Sequence, residues 1–285
     1  MRFLRNLALL FAFLGAPLAQ AWGPDGHRIT GLVAGELLTA KARIRLNQLV
    51  PGINLADYAN QMDVFRTALS VEIPGSEKWH YDNRPMCAAK DYAEYCAGGH
   101  CASAKIPVYF KVLADESAKD EARAQAAMFL IHMVGDIHQP LHTTDDSDLG
   151  GNQKNVLVPG IDTPRNLHRA WDSELVRRAL RGTSEADYVA LLLARYRGGE
   201  LKAWQSGEVA DWMGESYLLA QSHVYGRLPE FTCGVPWPMD KVVPLPASYA
   251  DAAAETIHTQ LAKAGARIAW LLNRALDPQH GAGKP

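Results

Sequence analysis

Residues 122–142 read ARAQAAMFLIHMVGDIHQPLH, and this stretch decides the fold prediction. Its apolar residues recur with the spacing of an amphipathic helix. His132 and Asp136 are four residues apart, so on a helix their side chains project from one face about one turn apart. Pro140 ends the helix, and the turn that follows lets His142 fold back toward the same face. The stretch therefore predicts a helix that ends in a cluster of imidazole and carboxylate groups.

A second string, NLHRAWD at 166–172, has the same spacing. It again places a histidine, His168, four residues before an aspartate, Asp172. Imidazole and carboxylate together suit zinc. A single pair of this kind is common, and its histidine is then an ordinary residue on the surface of a capped helix. Two pairs, with His142 downstream of the first, indicate a metal centre.

Further candidate ligands lie toward the N-terminus. Asp63 and His80 are ordinary in isolation, an aspartate near a helix start and a histidine beside a tryptophan. His27 follows Trp22 by five residues, which lets the two bind one metal ion once Trp22 is the mature N-terminus. A free α-amine with a pKa of about 8 readily loses its proton to a metal cation. This assignment depends on removal of the preceding residues.

Residues 1–21 have the pattern of an export signal. Arg2 and Arg5 give a positive start, residues 7–18 form an apolar run, and the segment ends in the cleavage-site pattern A-x-A. The run is short for a membrane span, although an uncleaved anchor is the alternative. Cleavage leaves a single domain at 22–285. We therefore expect an exported protein, periplasmic or extracellular.

Four cysteines lie in the mature chain. An even number in an exported protein favours two disulfides, and four cysteines allow three pairings. We favour Cys96–Cys101 as a local link and Cys87–Cys233 as a long-range one. Four zinc thiolates are the alternative, although the spacing lacks the close pairs typical of such sites.

The rest of the mature chain predicts an all-α, single-domain fold with minor short strands. Helical spacing is found in five segments, at 29–38, 122–136, 187–196, 209–224 and 249–276. Gly265 lies inside the last of these, where glycine costs about 1 kcal/mol relative to alanine and so indicates close packing. Short strands are expected at 154–158 and 242–245, and loops at 83–100 and 143–165.

The charge of the chain excludes a general basic surface. The formal net charge is −2 overall and becomes −4 without Arg2 and Arg5. A protein that holds nucleic acid through its whole surface is usually cationic. If the chain binds phosphate esters, the positive charge must come from a local source, and a metal cluster would supply it.

Taken together, these motifs resemble the S1/P1 family of zinc nucleases, whose fold is related to that of bacterial zinc phospholipase C. The resemblance covers essentially the whole mature chain. Its matching elements are Trp22-Gly23, HMVGDIHQPLH at 132–142, GGN at 150–152, NLHRAWD at 166–172, WMGESY at 212–217 and QLAKAGARIAWLLN at 260–273.

The resemblance implies three Zn²⁺ sites. They are held by Asp63, His80 and His132, by the Trp22 amine and carbonyl with His27, and by His142, His168 and Asp172, with Asp136 bridging the first two. Three zinc ions and three carboxylates leave roughly three positive charges, the local cation that the acidic chain otherwise lacks. The family usually has Trp-Ala where this chain has Gln61-Met62, so the residues packed beside ligand Asp63 differ.

The activity implied is hydrolysis of single-stranded DNA and RNA to 5′-phosphate products, with 3′-nucleotidase activity. Asp63 and Asp136 act in catalysis through the metals they hold. Arg66, one turn after Asp63, is placed to stabilise charge on phosphate, unless it is an ordinary surface arginine. Tyr81 occupies the aromatic stacking position, which favours unstacked bases, and a core aromatic is its alternative.

Three further polar residues are assigned by the resemblance. Asn83 stands where fungal members have an aspartate that hydrogen-bonds the base, so the base preference differs here. Asn152 is a candidate substrate contact in the loop at 145–165, with loop stabilisation as the equal alternative. His138 lies among the ligands without being one, and we expect it to support the site or the fold.

Two other functions compete with this interpretation. Zinc phospholipase C shares the N-terminal tryptophan and the ligand order, but it generally ends its ligand set with H-x-x-x-E, where this chain has His168 and Asp172. A non-catalytic zinc-binding protein is the second alternative, although all inferred ligands are present. For the nuclease we expect a monomer without a stable protein partner or membrane attachment.

Overall fold

The structure is a computed structural model that describes residues 22–87, 92–238 and 240–279. The predicted leader at 1–21 lies outside these ranges. The described chain is helical, which confirms the all-α prediction. Its α-helices are α1 (Pro24–Leu37), α2 (Ala40–Leu49), α3 (Leu55–Ala59), α4 (Gln61–Val64), α5 (Arg66–Glu72), α6 (Tyr92–Tyr95), α7 (Ala102–Ala114), α8 (Asp120–Asp136), α9 (Leu167–Arg169), α10 (Leu175–Leu180), α11 (Glu185–Arg195), α12 (Glu200–Ala203), α13 (Val209–Leu219) and α14 (Ala247–Leu276).

The five predicted helical segments correspond to α1, α8, α11, α13 and α14. The segment predicted at 209–224 is divided, because α13 ends at Leu219 and one π-helical turn, Ala220–Val224, follows it. Helices α2 and α7 have no counterpart among the predicted ones. Most of the long helices are therefore visible in the sequence pattern, while several of the connecting helices are not.

Helix α14 forms the centre of the fold. It packs against α1 so closely that a Cβ atom on Gly265 would lie 2.4 Å from Val33 Cγ1. This confirms the close packing expected at Gly265. Two apolar cores lie around this helix pair, one containing Trp171 and Tyr225, and the other containing Phe129 and Trp212. Helices α1 and α8 are thereby fixed on a common scaffold, and both carry candidate ligands.

A small three-stranded sheet, in the order β2-β1-β3, covers one edge of the first core. Strand β1 (Asn155–Leu157) pairs antiparallel with β2 (Arg165–Asn166) and parallel with β3 (Val242–Pro244). The strands predicted at 154–158 and 242–245 are confirmed. The loop predicted at 143–165 contains the predicted strand as β1, and the unpredicted strand β2 begins at its last residue. The loop predicted at 83–100 likewise contains α6 and a 3₁₀ turn at Ala97–Gly99.

Two disulfides connect the described cysteines, in the favoured pairing. Cys96–Cys101 closes a local loop, and Cys87–Cys233 joins segments 146 residues apart. A buried Asp lies near each bridge, but the sulfurs are consumed in the disulfides and cannot act as thiolate ligands.

Among the described helices, none combines the length and the apolar character that crossing a membrane requires.

Candidate metal centre

Helix α8 presents His132 and Asp136 as the sequence predicts. The last two turns of the helix are buried, and His132 Nε2 lies 3.2 Å from Asp136 Oδ2. The helix ends at Asp136, and a 3₁₀ turn beginning at Pro140 brings His142 into the buried interior. The local sequence therefore turns the chain back at the point where its ligand candidates lie.

Five side chains from four parts of the chain converge at the end of α8. We name them the first ligand group, and they are His27, Asp63, His80, His132 and Asp136. All five are buried. The two carboxylate oxygens of Asp136 face different imidazoles: Oδ1 lies 3.1 Å from His27 Nε2, while Oδ2 lies 3.1 Å from His80 Nδ1 and 3.2 Å from His132 Nε2. A carboxylate in this position can bridge two metal ions.

Asp63 completes the first ligand group from the other side. Its Oδ1 lies 3.6 Å from His80 Nδ1 and 3.7 Å from His132 Nε2. The His27 ring stacks on that of His132, with centroids 4.0 Å apart. Gly135 makes room for this stack, because a Cβ atom there would lie 3.1 Å from His27 Nδ1.

The second ligand group consists of His142, His168 and Asp172, all buried. Its nitrogens His142 Nε2 and His168 Nε2 lie 3.0 Å apart. The Asp172 carboxylate lies 3.9 Å from His142 Nε2 and 3.4 Å from His168 Nε2. The two ligand groups are linked through His80, whose side chain belongs to the first and whose carbonyl oxygen accepts a hydrogen bond from His142 Nδ1.

Backbone carbonyls fix the orientation of three imidazoles. Nδ1 of His132, His142 and His168 donates to the carbonyl oxygens of Ala59, His80 and Gly150 at 2.8, 2.7 and 2.7 Å. In the neutral tautomer that this hydrogen bond selects, each ring points the lone pair of Nε2 into its ligand group. In the second group two such lone pairs face each other, which is unfavourable unless a cation lies between them.

Several buried atoms of the first ligand group form no hydrogen bond of acceptable geometry, although His27 Nε2 and Asp136 Oδ1 lie 3.1 Å apart. They are both ring nitrogens of His27, both carboxylate oxygens of Asp63, and Asp136 Oδ1. Buried polar atoms are nearly always paired in folded proteins, so such a concentration requires a reason. Metal ligation is that reason, since it satisfies lone pairs without donated protons. The residues present thus fit bound metal ions.

The electrostatics of the second ligand group point the same way. Burial lowers the pKa of His142 to about 3 and that of His168 to about 4, so both imidazoles are neutral and can offer lone pairs. Burial also raises the pKa of Asp172 well above its usual range and outweighs the opposing hydrogen bond from Gln139, and the charges of Asp63 and Asp136 add to the rise. A divalent cation reverses this last shift by stabilising the carboxylate.

In the first ligand group the carboxylates dominate. Burial lowers the pKa of His132, but the attraction of Asp136 and Asp63 outweighs it and brings the pKa to about 9. The negative charges of the buried carboxylates thus favour the protonated, positively charged form of His132. A metal ion supplies that charge instead and leaves the imidazole free to ligate.

The N-terminal segment is fastened to the second ligand group. The Gly23 amide donates to the Asp172 carbonyl oxygen at 2.8 Å, and a Cβ atom on Gly23 would lie 2.9 Å from that oxygen. Trp22 is fully buried, and its Nε1 has no hydrogen-bond partner. Glycine is therefore required beside Trp22 to hold this segment between the two groups, a packing role that the sequence analysis did not identify.

The predicted substrate residues lie near the ligand groups with different surroundings. Arg66 is half-buried, and its Nη2 donates to the Glu77 carbonyl oxygen at 2.9 Å. Its positive charge lowers the pKa of Tyr81, against the rise that burial causes. It also lowers the pKa of His168, in the same direction as burial. Tyr81 is half-buried beside His80. Arg66 is thus partly buried and hydrogen-bonded to the backbone, unlike an ordinary surface arginine.

The two asparagines differ from each other. Asn83 is half-buried in the segment that follows His80. The Asn152 side chain donates to the Leu149 carbonyl oxygen at 2.8 Å, which favours the loop-stabilising alternative for this residue. Contact of either amide with substrate stays a prediction.

Gln139 was missed by sequence reasoning. Its Nε2 donates to Asp172 Oδ1 at 2.6 Å, and its Oε1 accepts the Leu141 amide. The signal was its position inside the string at 132–142. His138 takes the structural role expected of it, since its Nδ1 donates to the Val134 carbonyl oxygen and its Nε2 accepts from Arg267.

The fold and the two ligand groups define a class, namely helical proteins with buried histidine and aspartate sites for several metal ions. The sequence model described as S1/P1 Nuclease matches residues 22–277. The chain therefore belongs to the S1/P1 nuclease family, whose members are hydrolases of phosphodiester bonds.

Similar proteins come from fungi and plants. The chain is 27% identical to Nuclease S1 of Aspergillus oryzae over 90% of this chain and 92% of that protein. It is 26% identical to Nuclease P1 of Penicillium citrinum over 88% of this chain and 97% of that protein. It is 28% identical to Endonuclease 5 of Arabidopsis thaliana over 90% of both. The likeness thus extends over nearly the full length of each.

Proposed function

We propose that this protein is a zinc-dependent nuclease that hydrolyses single-stranded DNA and RNA to 5′-phosphate products and also removes phosphate from 3′-nucleotides. Membership of the S1/P1 nuclease family supports the reaction class. The observation that carries the metal requirement is the pair of Nε2 lone pairs of His142 and His168 that face each other 3.0 Å apart in a buried site.

The ligands would divide among three zinc ions. Asp63, His80 and His132 hold one ion, and His142, His168 and Asp172 hold another. His27 holds the third with the amine and carbonyl of Trp22. The opposite directions of the Asp136 oxygens, toward His27 and toward His80 and His132, support its role as the bridge between two ions.

The chain's own residues bind and orient the substrate. Bound zinc supplies Lewis-acid chemistry, which polarises phosphoryl oxygens and lowers the pKa of water. Arg66, anchored by the Glu77 carbonyl, holds a positive charge near the second ligand group and stabilises the negative charge of the phosphate. The ring of Tyr81 stacks with a base that is not stacked on neighbouring bases, which favours single-stranded substrates. Asn83 accepts or donates a hydrogen bond at the base edge.

The use of the Trp22 amine as a ligand links catalysis to export. The amine is free only after residues 1–21 are removed. The buried position of Trp22 and the hydrogen bond of Gly23 to the Asp172 carbonyl support a mature N-terminus inside the metal centre. The proposed protein is a monomer, active in the periplasm or outside the cell, without a stable protein partner.

Mass spectrometry and metal analysis of the mature protein test this proposal together with a substrate panel. We expect a chain beginning at Trp22, three zinc ions per chain, and cleavage of single-stranded DNA, RNA and 3′-nucleotides that a chelator abolishes and zinc restores. Phosphatidylcholine serves as the lipase control. A zinc-loaded protein that cleaves none of the nucleic acids contradicts the proposal, as does an active protein that retains residues 1–21.

A further inference from the structure

A cleft of about 750 Å³ lies beside the metal centre, in the size range of ligand pockets. It is bounded by α7, the start of α13 and the last turns of α14, and its remaining wall includes Asp82, Arg84, Tyr95 and Thr143. The Asp82 amide donates to the His142 carbonyl oxygen at 2.8 Å. The wall is therefore built in part from the same two chain segments that carry ligands His80 and His142. We name this space the flanking cleft.

The floor of the flanking cleft is apolar and aromatic. Ile106 and Trp212 are buried in it, while Phe110, Met213 and Trp270 are half-buried. Partly exposed aromatic rings in a groove can stack with nucleic-acid bases and contribute about 1–3 kcal/mol per base. The floor thus offers a surface for planar rings without sequence preference.

Three exposed cationic side chains surround this floor, Arg84, Lys111 and Arg274. Among the residues that the structure describes, none of the three forms an ion pair with a carboxylate. The Arg274 guanidinium instead lies 4.6 Å from the Trp270 ring centroid and 5.4 Å from that of Phe110. In a chain with a net negative charge, three such cations around one apolar cleft form a local binding surface for anions.

The carboxylates that line the flanking cleft are already engaged. Asp82 is buried and accepts hydrogen bonds from the Ser103 amide and hydroxyl. Glu208 caps α13, where its side chain accepts from a backbone amide of the first turn. The two carboxylates are thus held by the protein and do not neutralise the cations, of which Arg84 lies over the Tyr217 ring, 4.1 Å from its centroid.

We propose that the flanking cleft binds the nucleotides of a single-stranded substrate next to the scissile bond. Their phosphates pair with Arg84, Lys111 and Arg274, and their bases stack on Phe110 and Trp270. The charge complementarity and the wall shared with the metal centre select this occupant over an uncharged apolar one. The inference rests on the proposed nuclease function and adds a site that extends the substrate contact beyond the reacting phosphate.

The test is the length dependence of cleavage by the zinc-loaded double variant Lys111→Ala/Arg274→Ala. Neither side chain contacts a residue of the two ligand groups, so the rate of dinucleotide hydrolysis should stay within about twofold of that of the unmodified protein. For a single strand of a dozen or so nucleotides we expect KM to rise about tenfold with kcat unchanged, and the dependence of log KM on log salt to become shallower. The matched control is Arg197→Ala/Lys202→Ala, two exposed cations outside the cleft, with no change expected.

A second variant separates stacking from charge. Phe110→Ala should raise KM for the long strand only, without altering its salt dependence. Equal length dependence in the unmodified protein and the Lys111→Ala/Arg274→Ala variant overturns the flanking cleft while leaving the nuclease function intact. An equal loss of activity on the dinucleotide and on the long strand also overturns the proposal. The substitutions would then act by disturbing the fold, and not by removing a binding site. Failure of the unmodified protein to cleave any substrate overturns the proposed function itself.

Discussion

The two ligand groups are held in place by different means. In the first, His132 and Asp136 lie on the buried end of α8, and His27 lies on α1, which packs against α14. In the second, His142 and His168 lie on short segments and take their orientation from single hydrogen bonds to the carbonyl oxygens of His80 and Gly150. Long helices carry three of the five members of the first group, whereas His142 and His168 of the second lie on a 3₁₀ turn and a three-residue helix.

The loop that supplies the Gly150 carbonyl is fixed by buried charges. Lys154 is 1% exposed, and its Nζ lies 3.1 Å from Asp146 Oδ2 and 3.0 Å from Asp148 Oδ2. Asp148 also accepts the Gly151 amide and the Tyr225 hydroxyl. Removing one partner of such a buried set leaves an uncompensated charge. The second ligand group therefore depends on residues that never touch a metal, and substitutions can separate the two groups.

The largest effect should come from Asp136→Asn. The amide keeps the shape but loses the charge and one oxygen that faces the imidazoles of the first group, so we expect metal loss from that group. Activity on single-stranded DNA should fall by at least about a thousandfold, equivalent to roughly 4 kcal/mol. Metal analysis and initial rates measure both quantities.

Asp162→Asn, at an exposed position, is the control and should retain full activity. Retention of zinc in the second group by Asp136→Asn would show that the two groups load independently. Near-normal activity of Asp136→Asn would contradict the role of Asp136 as a bridging ligand.

A somewhat smaller effect is expected for Gly150→Ala. Gly150 has φ +61°, and a Cβ atom there would lie 2.7 Å from the Leu141 carbonyl oxygen and 3.4 Å from His168 Nδ1. The loop must shift, which moves the carbonyl that orients His168. We expect about a hundredfold lower activity and weaker zinc binding in the second group only.

Gly160→Ala isolates the backbone strain from the contact. Gly160 has φ +84° with nothing within 4 Å of its added Cβ, so its cost of about 1–3 kcal/mol should appear in stability alone. An equal loss of activity in both glycine variants would mean that strain, and not the position of the carbonyl, controls the second group.

A smaller, graded effect is expected for Gln139→Met. The thioether fills the space but cannot donate to Asp172 Oδ1. Loss of a hydrogen bond to a metal ligand typically weakens metal binding by about 10–100-fold. Competition with a chelator should show faster zinc loss from the second group, with the first unchanged. Simultaneous loss from both groups would show that Gln139 supports the fold as a whole.

The sequence predicts the elements of the site whose causes are local. The four-residue spacing of His132 and Asp136 places them on one face of a helix wherever that helix lies. The contact of Gln139 with Asp172 depends on the path of the chain between two residues that are 33 positions apart. The position of the Gly150 carbonyl depends on a loop that is held by the buried Lys154 and its partners and by Asp145, which accepts the Gly150 amide. These features follow from tertiary packing and have no local signal.

Packing against neighbouring elements also accounts for the strand and the helix that the sequence pattern does not predict. Strand β2 has only two residues and exists because β1 lies beside it. Helix α7 contains Pro107, which lacks the amide that a helix interior uses, so its sequence reads poorly as a helix. Packing of α7 against α8 overrides this local signal. Periodic segments are therefore predictable, and short or interrupted ones are set by their neighbours.

The end of α8, and with it the first ligand group, is also braced by charges, although on a different side of the fold. Arg267 on α14 donates to His138 Nε2 at 2.9 Å and to both oxygens of Glu215 on α13. Burial raises the pKa of Glu215, but the hydrogen bonds and charges of Arg267 and Lys263 outweigh it and bring the pKa to about 2. This brace is partly exposed, unlike the set around Lys154.

Acid should loosen this brace by a small and measurable amount. Since the pKa of Glu215 falls on folding from its usual 4.5 to about 2, its stabilising effect is complete above pH 4.5 and is lost as the pH falls toward 2. The side chain is 37% exposed, so solvent screening reduces the effect to roughly 1 kcal/mol.

In the metal-free protein, Glu215→Gln should lower the free energy of unfolding at pH 6. Near pH 2 its free energy of unfolding should approach that of the unmodified protein. Glu72→Gln, at an exposed position, should differ little at either pH. A difference between Glu215→Gln and the unmodified protein that stays constant from pH 6 to 2 would show that the carboxylate charge does not brace α8, and that packing alone holds the first ligand group.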